Sequence, residues 1–156
     1  VITVCCGECL DYLLEHNITI NVAETAQLLS RQNDTANIRK LMKYAARRND
    51  YPLVQVLEDE DMDCAEMMHS SGVELNWPPS IVADFIRNEK WQIVKWIIDN
   101  NYAFCFSDIT SILDAGRFDL AALALTKTNS FRVGTEETNA KFHEWAKTRE
   151  IIVREK

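Results

Sequence analysis

Glycine and proline are scarce in this chain of 156 residues, which contains four glycines and three prolines. Tight β-turns depend on these two residue types, so their scarcity favours helices over a fold rich in β-hairpins. Long apolar runs are also lacking, because no segment approaches the about 18 consecutive apolar residues of a membrane-spanning helix. The N-terminus lacks the basic-then-apolar layout of a signal peptide. The sequence therefore predicts a soluble helical protein that does not enter a membrane.

Cations are in deficit, with 17 Lys and Arg against 24 Asp and Glu and a net charge of −7. Recognition of phosphate depends on clustered cations, so nucleic acid is not an expected partner. The charge is uneven, since a basic stretch at 39–48 directly precedes an acidic stretch at 58–63. These runs are either the solvated faces of neighbouring helices or a dedicated site for a charged partner.

The five cysteines are an odd set without the spacing of a disulfide scaffold, which predicts a reducing interior, cytoplasmic or nuclear. Cys6 and Cys9 form a CxxC motif beside Cys5, but a structural zinc needs four ligands and only His16 follows nearby. We expect these thiols to pack at the start of a helix without a metal. If zinc were bound, Cys5, Cys6, Cys9 and His16 would be its first candidate ligands.

Catalytic patterns are lacking as well. His16, His69 and His143 lie in separate segments, and none stands in a His-Glu-x-x-His or triad-like setting. Four scattered glycines cannot build a phosphate-binding loop, and the carboxylates at 58–63 lack the spacing and central glycine of a calcium loop. The sequence predicts no enzyme, no cofactor and no metal site.

The chain does contain apolar residues that recur at nearly regular intervals. Apolar residues return at intervals of 28, 27, 29 and 26 residues, and each has an apolar partner three positions later. This first ladder consists of Leu10, Ile38, Ala65, Val94 and Leu120. A second ladder, at intervals of 28, consists of Leu29, Leu57, Phe85 and Leu113. Such a period is typical of stacked supersecondary units, each of which buries its apolar face against its neighbours.

Each unit is predicted to be a helix, a short turn and an antiparallel helix. In the clearest unit, apolar stripes at 81–86 and 92–98 flank a turn at 88–91, and Asn101 is predicted to end the second helix. Asn17 and Gly72 stand at equivalent positions, whereas Ala45 departs from the pattern, so its helix runs on or ends differently. Ser107 or Asp108 is the predicted N-cap of a helix at 109–113, and Trp96 is predicted to be core. The units are 1–21 (partial), 22–49, 50–77, 78–105 and 106–129, followed by a C-terminal cap at 130–156.

The segment Gly7 to Asn21, GECLDYLLEHNITIN, resembles the second helix and following loop of an ankyrin repeat, and 64–76 and 92–104 are similar. The Thr-Pro-Leu-His start of that repeat is absent, and the period of about 28 is shorter than the family's 33. The resemblance is to short ankyrin-like repeats that lack the β-hairpin finger, of the kind found in proteins of large DNA viruses and intracellular bacteria. It implies an all-α solenoid of stacked helix-turn-helix repeats. A different α-hairpin solenoid and a helical domain without repeats remain alternatives.

The resemblance also implies a non-enzymatic module that binds a protein partner, such as a host factor, through its connector tips and first helices. Trp77 either anchors that partner or folds back over the neighbouring prolines. A regulatory or substrate-recruiting domain of a larger enzyme is the alternative function. The chain begins with Val1, which fits removal of an initiator Met or a piece of a longer chain. The candidate protein-binding residues are Asn21, Arg48, Asp50, Tyr51, Trp77 and Asp108.

Overall fold

A computed structural model describes residues 2–3, 7–48, 50–73, 78, 80–102, 106–127 and 136–147. These residues form ten α-helices and one isolated β-bridge, which confirms the all-α class. The chain divides into two compact units, Val1–Pro78 and Pro79–Lys156. In chain order the helices are α1 (Gly7–Glu15), α2 (Val22–Arg31), α3 (Thr35–Arg48), α4 (Pro52–Glu58), α5 (Met62–Ser70), α6 (Ile81–Arg87), α7 (Trp91–Asp99), α8 (Phe106–Asp114), α9 (Phe118–Lys127) and α10 (Glu136–Lys147).

The turns after α2, α4, α6 and α8 adopt the same backbone conformation. Each contains a residue with φ between 55° and 73°, and these residues are Asn33, Glu60, Glu89 and Gly116. In the first of them the Asp34 N–H donates to the Leu29 carbonyl at 3.0 Å, and equivalent bonds of 2.9–3.1 Å close the other three. This is the Schellman arrangement, which satisfies the last carbonyls of a helix and reverses the chain within three residues. Each pair therefore forms a helical hairpin.

Two second helices begin at an aspartate cap, and the ends of three helices lie where the sequence predicts them. Asp34 caps α3, since its Oδ1 accepts from the Asn37 N–H at 3.1 Å, and Asp61 caps α5 through the Cys64 N–H at the same distance. Asn17, Gly72 and Asn101 follow α1, α5 and α7 with φ of 52°, 68° and 58°, which confirms their predicted equivalence.

The helix α3 departs from this pattern. It continues past Ala45 to Arg48, and the Asp50 N–H then donates back to the Ala45 carbonyl at 3.2 Å. Of the two alternatives that the sequence left open for this helix, the structure shows the first, in which the helix runs on.

In the first unit, α2 packs against α3 and α4 packs against α5, while α2 also contacts α4 and α5. On the other side α3 lies between α1 and α5. Gly7 lies close to α3, because a Cβ atom there would clash with Asn37 Nδ2 and displace that side chain. The core of this unit includes Leu10, Leu29, Ile38, Leu41, Met42, Leu57, Ala65 and Met68, all with no solvent exposure.

In the second unit, α6 packs against α7 and α8 against α9, with α6 beside α8 and α7 beside α9. The C-terminal helix α10 contacts α8 and buries Phe142, whose ring lies 6.3 Å from that of Phe118. Trp145 joins the same aromatic group, 5.9 Å from Phe118. Phe142 and Trp145 therefore share the packed face of α10.

The β-bridge pairs Ile2 with Ile20 in parallel orientation, just before α2. Ile2 donates to the Thr19 carbonyl at 3.2 Å and accepts from the Asn21 N–H at 2.9 Å. The segment between α1 and α2 therefore holds Ile2 in place.

Two local predictions are wrong. The helix α8 begins at Phe106, so Ser107 and Asp108 lie inside its first turn and neither is the N-cap. Trp96 is only half-buried, stacked on Tyr102 at 5.5 Å, because its position faces the edge of the hairpin.

Candidate protein-interaction surface

The end of α3 and the connector to α4 carry four polar and aromatic side chains, and three of them lie close together. The extension of α3 places Arg48 with its guanidinium carbon 5.3 Å from the centre of the Tyr44 ring. Arg48 Nε also lies 3.7 Å from Asp50 Oδ2, and both side chains are 43% exposed. Tyr51 follows, with 45% of its surface exposed. We call Tyr44, Arg48, Asp50 and Tyr51 the connector surface.

The connector surface has a rigid support. Tyr44 is half-buried, and its hydroxyl donates to the Ile18 carbonyl at 3.2 Å, which ties α3 to the loop after α1. Behind Tyr51, Pro52 is buried at the first position of α4, where proline fits because its missing N–H has no helical acceptor. The Tyr44 ring is thus held in place, and the Arg48 guanidinium lies over it and beside Asp50 before any partner arrives, which lowers the entropic cost of binding through Arg48.

The other three predicted binding residues do not join this surface. Asn21 caps α2: its Oδ1 accepts from the Glu24 N–H at 3.3 Å, and its Nδ2 donates to Glu24 Oε2 at 3.0 Å. Asp108 is 1% exposed in α8, so its carboxylate cannot reach a partner from the folded surface. Trp77 lies outside the described residues.

The outer face of α1 is a feature that the sequence analysis missed. Tyr12 is 58% exposed and stacks on the His16 ring at 4.1 Å. His16 Nδ1 lies 2.8 Å from the Tyr12 carbonyl, which fixes the ring. Beside this pair is an open hollow of about 360 Å³ lined by Glu8, Cys9, Tyr12 and Leu13.

The basic stretch is the exposed face of α3, where Arg39, Lys43 and Arg47 stand four residues apart. The neighbouring helix carries opposite charge, and Lys40 Nζ donates to Asp11 Oδ1 on α1 at 2.8 Å. This arrangement favours the first of the two predicted interpretations, solvated faces of adjacent helices. Exposed pairs of this kind contribute little to stability, about 0–1 kcal/mol each.

The thiols that the structure describes differ in reactivity. Cys9 is exposed on α1, whereas Cys64 is buried in α5. Burial raises the pKa of the Cys64 thiol to about 12, and the nearby Asp61 carboxylate adds to the rise. A thiol in such a site stays protonated and is a poor nucleophile. Cys5 and Cys6 lie outside the described residues, so the predicted packing of the CxxC motif is not described.

Among the described residues, no group of three or more His, Cys, Asp or Glu side chains could hold a metal ion. At the surface, a hydrogen bond from Arg117 lowers the pKa of Asp119 at the start of α9, which is an ordinary ion pair. No helix in the described part of the chain is long and apolar enough to cross a membrane.

Comparison with protein-family models, with curated proteins and with solved structures found no match to this chain.

Proposed function

We propose that this chain is a protein-interaction module built from short ankyrin-like helical repeats. The support for repeats is the recurrence of one turn: Asn33, Glu60, Glu89 and Gly116 adopt the same left-handed conformation at intervals of 27, 29 and 27 residues. The ladder positions Leu29, Leu57, Phe85 and Leu113 precede these turns and are 0–4% exposed. Repeat proteins of this kind bind partners through surfaces that successive units present together.

The connector surface is the proposed binding site in the first unit. The observation that carries this proposal is the exposed pair of Arg48 and Tyr51 on a connector held by Tyr44. Tyr and Arg are enriched among the residues that dominate protein–protein binding energy, because both combine apolar area with directional hydrogen bonding. Arg48 costs less entropy to immobilise here than on a mobile loop, because Tyr44 and Asp50 already restrain its guanidinium.

Affinity purification from the native host cell tests this proposal. The full chain, tagged, is compared with Tyr51→Ala and Arg48→Ala variants, and a recovered partner is then measured by calorimetry. Truncation of a central interface residue costs about 2 kcal/mol or more, so we expect each variant to bind at least about 10-fold more weakly. Glu58→Ala, at an exposed position at the end of α4, is the matched control and should bind as the wild type does. Unchanged affinity in both variants would refute this site.

A further inference from the structure

The C-terminal end of α3 carries cations that the described part of the chain does not neutralise. Lys43 and Arg47 are exposed one turn apart, directly before Tyr44 and Arg48, and neither forms an ion pair with a described residue. The helix tolerates these charges, because the dipole of an α-helix favours cations at its C-terminus. We call Lys43 and Arg47 the cationic edge of the connector surface. It stands out in a chain whose net charge is −7.

The other end of α3 lies between acidic side chains. At the repeat period, Arg39 stands level with Asp11 on α1 and with Glu66 on α5, the two helices that flank α3. The 2.8 Å pair of Lys40 with Asp11 shows that residues about one repeat apart do meet across these helices. Solvated faces of opposite charge therefore describe the first half of α3.

The extension of α3 carries its cations past these neighbours. The last residues of α1 and α5 are Glu15 and Ser70, and both stand level with Lys43 at the repeat period. Glu15 forms no ion pair with a described residue, and Glu74, the counterpart of Arg47 after α5, lies outside the described residues. The final turn of α3 thus continues beyond the ends of both flanking helices and brings its charge to the connector.

We infer that the partner of the connector surface binds through an acidic protein segment, an inference that rests on the proposed function. Carboxylates of that segment pair with Lys43 and Arg47, while Arg48 and Tyr51 supply the central contacts. Hydrogen bonds between guanidinium groups and carboxylates are charge-assisted, and complementary charge at the rim of an interface raises the association rate and selects the partner. Nucleic acid, the other common polyanion, is disfavoured by the negative charge of the chain as a whole.

Selection of short random peptides displayed on phage, with the immobilised full chain as bait, tests this inference. If net charge alone decided binding, the acidic chain would enrich basic peptides. We expect enriched peptides with an excess of Asp and Glu instead. A synthetic copy of the most enriched peptide, measured by fluorescence anisotropy, should bind the Lys43→Glu/Arg47→Glu variant at least about 10-fold more weakly than the wild type. Added salt should weaken the wild-type complex more than the variant complex.

The control is Arg31→Glu/Arg39→Glu, which changes the net charge equally at exposed positions towards the opposite end of the α2–α3 hairpin, and it should bind nearly as the wild type does. Peptides without an acidic excess, or equal affinity of the two double variants, overturn the inference but leave the connector surface as a binding site. Binding unchanged in both Arg48→Ala and Tyr51→Ala, or a selection that enriches no peptide, contradicts the proposed function as well. A single-stranded oligonucleotide that binds more tightly than the peptide, and loses affinity in Lys43→Glu/Arg47→Glu, would assign the cationic edge to nucleic acid and overturn the inference.

Discussion

Glu60 and Glu89 hold a backbone conformation that the equivalent turns give to Asn33 and Gly116. Their φ values of 58° and 55° lie in the left-handed region. For a residue with a Cβ atom this conformation costs about 1–2 kcal/mol, and only Gly and Asn adopt it readily. Both turns form nonetheless, because the hydrogen bonds from Asp61 to Val56 and from Lys90 to Phe85 close them.

Replacement of Glu89 by glycine should therefore stabilise the protein. We expect Glu89→Gly to raise the free energy of unfolding by about 0.5–1 kcal/mol, since glycine relieves the strain and loses little else at an exposed position. Urea denaturation followed by circular dichroism measures the change. Arg87→Gly, two residues earlier inside α6, is the control and should lose about 1 kcal/mol. A loss of stability in Glu89→Gly would contradict the account of the turn.

The buried thiol of Cys64 predicts a dependence of stability on pH. Its pKa is raised from 9.0 to about 12 in the folded protein, first by burial and then by Asp61. Below pH about 9 the thiol is protonated in both states, and its contribution to stability is fully present. As the pH rises from about 9 towards 12, the unfolded state releases its proton first, so this contribution is progressively lost.

The comparison of wild type with Cys64→Ala isolates this effect from the other groups that titrate in the same range. Denaturant unfolding at pH about 8 and about 10.5 should show a smaller fall in the free energy of unfolding for Cys64→Ala. If the free energy of unfolding fell equally in the two proteins, folding would not raise the pKa of the Cys64 thiol.

At the scale of the helix, the intervals between apolar residues were sufficient to place most elements. Leu29, Leu57, Phe85 and Leu113 are all buried, and the ends at Asn17, Gly72 and Asn101 lie where the sequence predicted them. These features could be predicted because each is a property of one residue. A helix end in the left-handed conformation favours Gly or Asn, and a buried position near the end of a packed helix favours an apolar side chain.

Features that depend on neighbouring helices could not be predicted in this way. Asp108 had the local pattern of an N-cap, but α8 begins two residues earlier and buries it. Tyr12 and Trp96 occupy the same register position as the half-buried Met67, yet their exposure depends on which helix lies opposite. The connector surface was predicted only in part: Arg48, Asp50 and Tyr51 were candidates, but Tyr44 was not, because the missing cap at Ala45 left open whether α3 runs on and brings Arg48 over Tyr44.

Phe85 provides the test of packing at this scale. It is 4% exposed in α6, which contacts both α7 and α8. Truncation of a buried phenylalanine removes apolar contacts and leaves a cavity, so we expect Phe85→Ala to lower the free energy of unfolding by about 3–5 kcal/mol. Denaturant unfolding measures the loss, with the exposed Arg87→Ala as the control on the same helix. A melting curve unchanged within error would show that Phe85 is not a buried position and that the 28-residue apolar pattern has been assigned to the wrong residues.

For the whole molecule, the prediction that no metal takes part in folding can be tested directly. Elemental analysis of the purified chain should find far less than one zinc per molecule, and chelation should leave the melting temperature unchanged. A closed zinc site contributes folding free energy, so its removal would lower that temperature by several degrees. One zinc per chain would make the CxxC motif, with Cys5 and His16, the first site to mutate.

The pairing of Ile2 with Ile20 has a mechanical consequence. The bridge and the Thr3–Glu24 hydrogen bond fasten the chain ahead of α1 to the loop and helix that follow it. Tension applied at the N-terminus is therefore transmitted to the start of α2 before it reaches Gly7, and α1 lies inside a closed loop that carries no force. Under load the three hydrogen bonds at Ile2 and Thr3 act as a latch, and α1 unravels only after they release.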